Sequence, residues 1–249
     1  MNTKLGSINH KAEIKKLWLK NFPSLKSYGV NKLYKIVGPF IVGIELINLP
    51  RVKEYRPHFV LYPLYGNING KSLKDCLSYP PILFEFYDKK KLQYNIPIDL
   101  KNRLNKDVIN RVSRLKILVS QRNIGLFTIL DFLRNQLTTF IVQARHSQPE
   151  IYKLMIYACL NAGNNKEKVK ILNEISKEYE NWNKEYFFKD YGNFNDWINR
   201  LKNITIIDLN NIINNNKDNV KLRKLLSFEI ENKKPSMFRQ LFKTASNTV

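Results

Sequence analysis

The stretch Gly38-Pro39-Phe40-Ile41-Val42-Gly43-Ile44-Glu45-Leu46-Ile47, with His58-Phe59-Val60-Leu61-Tyr62 and Ile82-Leu83-Phe84-Glu85-Phe86-Tyr87 after it, decides the fold class. β-Branched and aromatic residues dominate all three runs and Pro and Gly punctuate them, which is the composition of strands. At a period of two, Phe40, Val42, Ile44 and Leu46 share one face, and Ile41, Gly43, Glu45 and Ile47 share the other. Both faces are mostly apolar, so this strand is expected to be central or covered. Just upstream, Lys32-Leu33-Tyr34-Lys35-Ile36-Val37 is a further strand, and Gly38-Pro39 is placed to turn the two into a hairpin. Residues 48–57 and 66–70 read as polar connections and residues 71–79 as a helical turn. The charged turn Asp88-Lys89-Lys90-Lys91 leads into a short strand over residues 92–96.

Working outward, helical periods flank the sheet. In residues 8–22, Ile14, Leu17, Trp18 and Phe22 form a stripe with Lys11, Lys15, Lys16 and Lys20 off it, and Pro23 closes the helix. After Pro97 the period lengthens: Leu100, Leu104, Val108, Val112, Leu115 and Val119 predict one helix of several turns, ended by residues 120–125. Residues 126–145 predict a second, apolar on much of its circumference. Ser147-Gln148-Pro149-Glu150 is a restart signal, with Gly163 placed for a left-handed cap after Ala162. Residues 166–181, 193–202, 204–213 and 220–228 complete a helical bundle, with Asn214-Asn215-Asn216 as a separator. The fold class is α+β: an N-terminal helix and small, mainly antiparallel sheet over residues 1–98, a helical domain over 99–231, and a basic tail over 232–249.

Charge is the unusual property. The 249 residues contain 42 Lys and Arg against 21 Asp and Glu, a formal +21. A surplus of this size favours nucleic acid, an anionic membrane surface or an acidic protein as partner. AT-rich codons would raise Lys, Asn and Ile without any such partner, but they raise Lys more than Arg. Residues 101–125 hold Lys101, Arg103, Lys106, Arg111, Arg114, Lys116 and Arg122 against Asp107 alone, and on a helical wheel Arg103, Lys106 and Arg114 lie opposite the leucine and valine stripe. Cations along one helix edge match phosphate spacing without reading bases. Lys217, Lys221, Arg223 and Lys224 form a second basic set, and Phe238, Leu241 and Phe242 stand at helical spacing in the tail as a partner-docking element.

Other chemistries have weaker patterns. Cys76 and Cys159 lack disulfide or metal-ligand spacing, and His10, His58 and His146 are isolated from one another and from the cysteines. No stretch matches the Gly-x4-Gly-Lys-Ser/Thr spacing of a phosphate loop: Gly66 and Gly70, ahead of Lys71-Ser72, have only three residues between them. Residues 152–177, with Gly163 at the turn, fit an ordinary helical hairpin better than a DNA-reading helix-turn-helix. Glu45 and Glu85, both on strands and followed by Asp88 and Lys89, are the best carboxylates for a metal-dependent nuclease. The N-terminus lacks the apolar core of a signal peptide, and no apolar run approaches the roughly 20 residues of a membrane helix. The chain is therefore expected to be cytoplasmic, without membrane or cofactor. The expected function is a non-enzymatic, nucleic-acid-associated subunit of a bacterial multi-protein complex, with DNA as the expected nucleic acid. The alternatives are a protein-interaction module docking on an acidic partner in such a complex, a defence system among them, and the nuclease.

Overall fold

The computed structural model describes residues 3–65, 82–87, 90, 92–98, 106–144 and 146–233. The architecture is α+β: an N-terminal helix, a mostly antiparallel sheet, then many helices. No helix among the described residues is long and apolar enough to cross a membrane. The residues fall into two compact units, residues 1–122 with 211–228, and residues 123–210 with 229–249.

The first unit is built on the hydrophobic stretch. Helix α1 (Thr3–Asn21) leads into β1 (Lys26–Ser27), β2 (Lys32–Val37), β3 (Phe40–Leu49) and β4 (Glu54–Pro63), then β5 (Ile82–Glu85) and β6 (Ile96–Pro97). The sheet order is β1-β2-β3-β4-β5, all antiparallel, with β6 pairing the other end of β4. Val37 pairs with Phe40, so Gly38-Pro39 is a two-residue hairpin turn, and Gly38 supplies its positive φ of 51°. β3 is central, and Phe40 to Ile44 are buried on both faces, as the doubly apolar pattern requires.

Several local expectations change in this unit. Residues 48–57 are not a polar connection: Leu49 pairs with Glu54, and only four residues turn the chain, with Lys53 at φ 50°. Cross-strand pairing of Asn48 with Tyr55 and Ile47 with Arg56 holds these polar positions in the ladder. The long helix after Pro97 is instead two pieces, α2 (Lys106–Ser113) and α3 (Lys116–Val119). Val108 and Val112 follow the stripe into the core, but Ile117 and Leu118 are buried next, in place of Leu115 and Val119. The carbonyls left free where α3 ends are used by neighbouring side chains: Ser24 Oγ donates to Leu118 O at 3.0 Å, and Lys35 Nζ donates to Ser120 O at 2.8 Å. Residues 220–228 are a 3-10 turn at Leu222–Lys224 and a strand, Ser227–Phe228, pairing parallel to β2. Leu222 and Leu225 are buried three apart, a spacing that one helical turn and one 3-10 turn share.

One face of the sheet carries Leu33, Lys35, Val42, Ile44, Tyr55, Phe59 and Leu61 and is the main core face. Trp18 of α1, fully buried, stacks on Phe22 at 5.6 Å and donates from Nε1 to the Tyr55 hydroxyl at 3.2 Å. Deleting such a side chain typically costs about 3 to 5 kcal/mol. The opposite face carries Lys32, Tyr34, Gly43, Glu45, His58, Tyr62 and Glu85.

The second unit is helical: α4 (Leu126–Leu137), α5 (Phe140–Ala144), α6 (Gln148–Asn161), α7 (Asn165–Glu178), α8 (Lys184–Tyr191) and α9 (Phe194–Asn203), with α10 (Ile206–Lys217) continuing into residues of the first unit. Ile124–Gly125 pairs parallel with Ile230–Glu231. The helix expected over 126–145 stops at Thr138-Thr139, where Thr139 Oγ1 donates back to Gln136 O at 2.8 Å, competing with continuation. Asn214-Asn215-Asn216 lies inside α10 and separates nothing. α8 was not anticipated; its signals are Asn183, whose side chain accepts from Tyr186 N at 3.1 Å, and Gly192 at φ 78°.

α6 is buried almost all round, and α4 and α7 pack against it. Its end is a Schellman motif: Gly163 N donates to Leu160 O, Asn164 N to Cys159 O, and Gly163 has φ 67°. Asn164 then caps α7 by accepting from Glu167 N at 2.9 Å. At the start of α6, Ser147 occupies the N-cap without a capping side-chain hydrogen bond, while Pro149 and Glu150 take the first turn.

Candidate functional site

The polar residues of the first unit collect on the second face of its sheet. Register places Lys32 opposite Glu45, Glu45 opposite His58, and His58 opposite Glu85, one row across β2, β3, β4 and β5. Directly paired residues in antiparallel strands project to the same side, so the four form a continuous polar line. The two strand carboxylates singled out in the sequence thus share a row, with a histidine between them.

Glu45 is the best-held member. Its Oε1 accepts from the Tyr34 hydroxyl, from the Tyr62 hydroxyl at 2.7 Å, and lies 3.0 Å from Lys32 Nζ. Burial pushes its carboxyl up, but hydrogen bonds from Tyr34, Tyr62 and Lys32 outweigh burial and hold it below its ordinary value. Burial raises the Tyr34 and Tyr62 phenols well above the usual range, and the Glu45 charge adds to it.

Tyr34 reaches Glu45 because Gly43 lies opposite it in the register. A Cβ at Gly43 would stand 2.1 Å from Leu33 O and 2.4 Å from Tyr34 Cδ1, so only glycine leaves room for the ring.

His58 Nε2 is 3.8 Å from Glu85 Oε1, beyond hydrogen-bond reach, and has no hydrogen-bond partner. Burial lowers its pKa, Glu85 opposes that and Arg56 adds to it, so the ring is neutral at pH 7. Glu85 Oε2 accepts from the Tyr87 hydroxyl at 2.6 Å and from Gln93 Nε2. Burial raises its carboxyl, and these two bonds with His58 and Arg56 bring it below its ordinary value. Both carboxylates are thus charged and occupied by protein donors. Among the described residues, no group of three or more His, Cys, Asp or Glu is arranged to hold a metal ion.

On the core face sits a cation that the sequence reading passed over. Lys35 is completely buried between Leu33 and Val37, donates to Ser120 O, and lies 4.9 Å from the centre of the Phe228 ring. Burial lowers its pKa to about 7. Alternation was the available signal, since Lys35 shares parity with Leu33 and Val37.

Of the seven cations assigned to phosphate binding, Lys101 and Arg103 lie outside the described residues, as does the side chain of Lys106. Arg111 is half-buried, 5.8 Å from the Tyr94 ring centre, while Arg114, Lys116 and Arg122 are exposed. Arg114 follows the last residue of α2, so the single helical wheel does not apply to it. Arg122 sits in a local turn, its N–H donating to Ser120 Oγ at 3.2 Å while that hydroxyl donates to Arg122 O at 2.9 Å. Ser120 O in turn accepts from Lys35, which anchors this basic turn to β2. In the second basic set, Arg223 pairs with Asp218 at 2.9 Å and Lys221 lies 5.8 Å from the Tyr28 ring centre. Phe238, Leu241 and Phe242 lie outside the described residues, as does Cys76.

In the second unit, α6 and α7 form the helical hairpin. Lys168 is buried and donates to Lys202 O and Ile204 O, so it caps α9 instead of facing a DNA groove. Cys159 is buried within the hairpin, its thiol pushed up to about 12 by burial. Comparison with protein-family models, with curated protein sequences and with solved structures gives no match.

Proposed function

We propose that the protein binds the phosphate backbone of nucleic acid, DNA in the first instance, through the unit that carries its sheet, as a non-enzymatic component of a larger assembly. The observation that supports this reading is how charge divides between the units. The first holds 27 Lys and Arg against 9 Asp and Glu, a net +18; the second holds 15 against 12, a net +3. Codon bias raises Lys along a whole chain and does not confine the surplus to one folded unit. A unit with that net charge repels itself, and a polyanion relieves the repulsion while releasing its own counterions. Arg114, Lys116 and Arg122 are the exposed cations with which contact is assigned.

The test is titration of a short DNA duplex at several salt concentrations, with polyglutamate as a polyanion that lacks phosphate. Tight binding at low salt that falls steeply as salt rises is expected. The combined Arg114→Glu, Lys116→Glu, Arg122→Glu variant should weaken binding and flatten the slope of log affinity against log salt by about 2 to 3. Absence of duplex binding at low salt, equal binding to polyglutamate, or an unchanged slope in the variant would remove the reading.

A further inference from the structure

In the second unit, the turn before α6 and the turn before α8 line a cavity of about 300 Å³. This is at the small end of ligand cavities, which run from roughly 300 to 1,000 Å³, and suits one ring system. Side-chain amides supply its polar edge: Gln143 from α5 and Gln148 from the start of α6, with Asn181 and Asn183 from the turn before α8. Trp182 and Phe187 supply apolar wall, and His146 completes an aromatic rim. Among the described residues that line it, none is Lys, Arg, Asp or Glu, which favours an uncharged group.

The amides are held in place before any ligand arrives. Gln148 Nε2 donates to Gln143 Oε1 at 2.9 Å, Gln143 Nε2 donates to Leu137 O at 2.6 Å, and Asn183 Oδ1 accepts from Tyr186 N. An amide has two N–H donors and an acceptor with two lone pairs, and the bonds above use only part of that capacity, so the remainder can meet a nucleobase edge.

A second, independent observation is the backbone of His146. Its φ is 50°, in the left-handed region that glycine adopts freely and few other residues do. In that conformation its ring stacks on Tyr186, with centroids 4.5 Å apart and planes 22° from parallel, although Tyr186 is 50% exposed. Glycine would satisfy the turn but remove the ring, so the histidine keeps at the rim a ring that the turn itself does not need.

We infer that this cavity binds a neutral nucleobase, stacked against the rim of His146 and read at its edge by the amides. The inference stands apart from the phosphate reading, because it concerns the other unit and an uncharged group.

The test is calorimetric titration of the full chain with adenosine, guanosine, cytidine and uridine, and with methyl glucoside as a sugar that also stacks on aromatic rings. Binding of at least one nucleoside is expected, weak and insensitive to salt, whereas duplex binding by the first unit is salt-dependent. His146→Gly relieves the backbone and should weaken that nucleoside by about fivefold or more, the low end of what one stacked base contributes. His146→Asn, also tolerant of the left-handed region, serves as the readout should the glycine variant not fold. No nucleoside binding at millimolar concentration, preference for the glycoside, or undiminished affinity in the folded variant overturns the inference.

Discussion

Replacing Lys35 by Met isolates the energetics of the buried ammonium, because methionine keeps much of the length and removes the charge. Folded, the group titrates near pH 7; in the unfolded chain it returns to its ordinary 10.5. Between those values the unfolded state binds more protons than the folded one, so Lys35 makes stability rise with pH through that window. The contribution grows by about 2.5 kcal/mol between about pH 6 and pH 9, and below the folded value it is flat. Lys35→Met lacks this rise. The variant also loses the bond to Ser120 O, an effect of about 1 to 3 kcal/mol that does not depend on pH. Urea unfolding of both proteins across the range, followed by near-ultraviolet circular dichroism, gives the difference curve, in which all other titrating groups cancel. The variant should lose ground to the unchanged protein steadily as pH rises. A difference that stays constant across the range would refute a folded ammonium titrating near neutrality, and with it the assignment of Lys35 as desolvated.

Two further substitutions probe the polar face. Gly43→Ala drives a methyl into Leu33 O and the Tyr34 ring, and should destabilise by on the order of 3 kcal/mol or more, read as a large drop in Tm or loss of soluble protein. Glu45→Gln keeps an acceptor for Tyr34 and Tyr62 but loses the charge that Lys32 faces, and should cost about 1 to 3 kcal/mol at neutral pH in urea unfolding. Because the Glu45 carboxyl sits below its ordinary 4.5 when folded, its contribution is full above that value and is lost as pH falls through the lower folded one. The gap between variant and unchanged protein should close in acid; a gap that persists or widens there would contradict a stabilised carboxylate.

Much of this was legible in the residues. Alternation in β2 and β3 fixes which side chains share a face, because a strand has only one period, and Gly38-Pro39 fixes the hairpin, because few residues turn so tightly. Glycine at 163 fixes the end of α6 through its left-handed backbone. Strand pairing and charge are different matters. That Glu45, His58 and Glu85 fall in one row depends on the register of residues 13 and 27 apart, which no local pattern encodes. The break between α2 and α3 is also tertiary, since the stripe continues through Leu115 and Val119 while packing buries Ile117 and Leu118. Ser227–Phe228 joins the sheet through ladder bonds in which Ile36 N donates to Leu226 O and Gly38 N to Phe228 O, nearly two hundred residues apart in the chain, overriding a helical spacing.

By itself, then, the sequence determined the α+β class, the central strand, the N-terminal hairpin and the size of the cationic surplus, since each follows from local periodicity, turn stereochemistry or composition. Only the tertiary structure decided how those charges divide between the units, which carboxylates are already occupied, that Lys35 is desolvated, and that residues of distant turns line an amide-edged pocket. Long-range contacts set those outcomes, because burial and hydrogen-bond partners are properties of neighbours in space and not of neighbours along the chain.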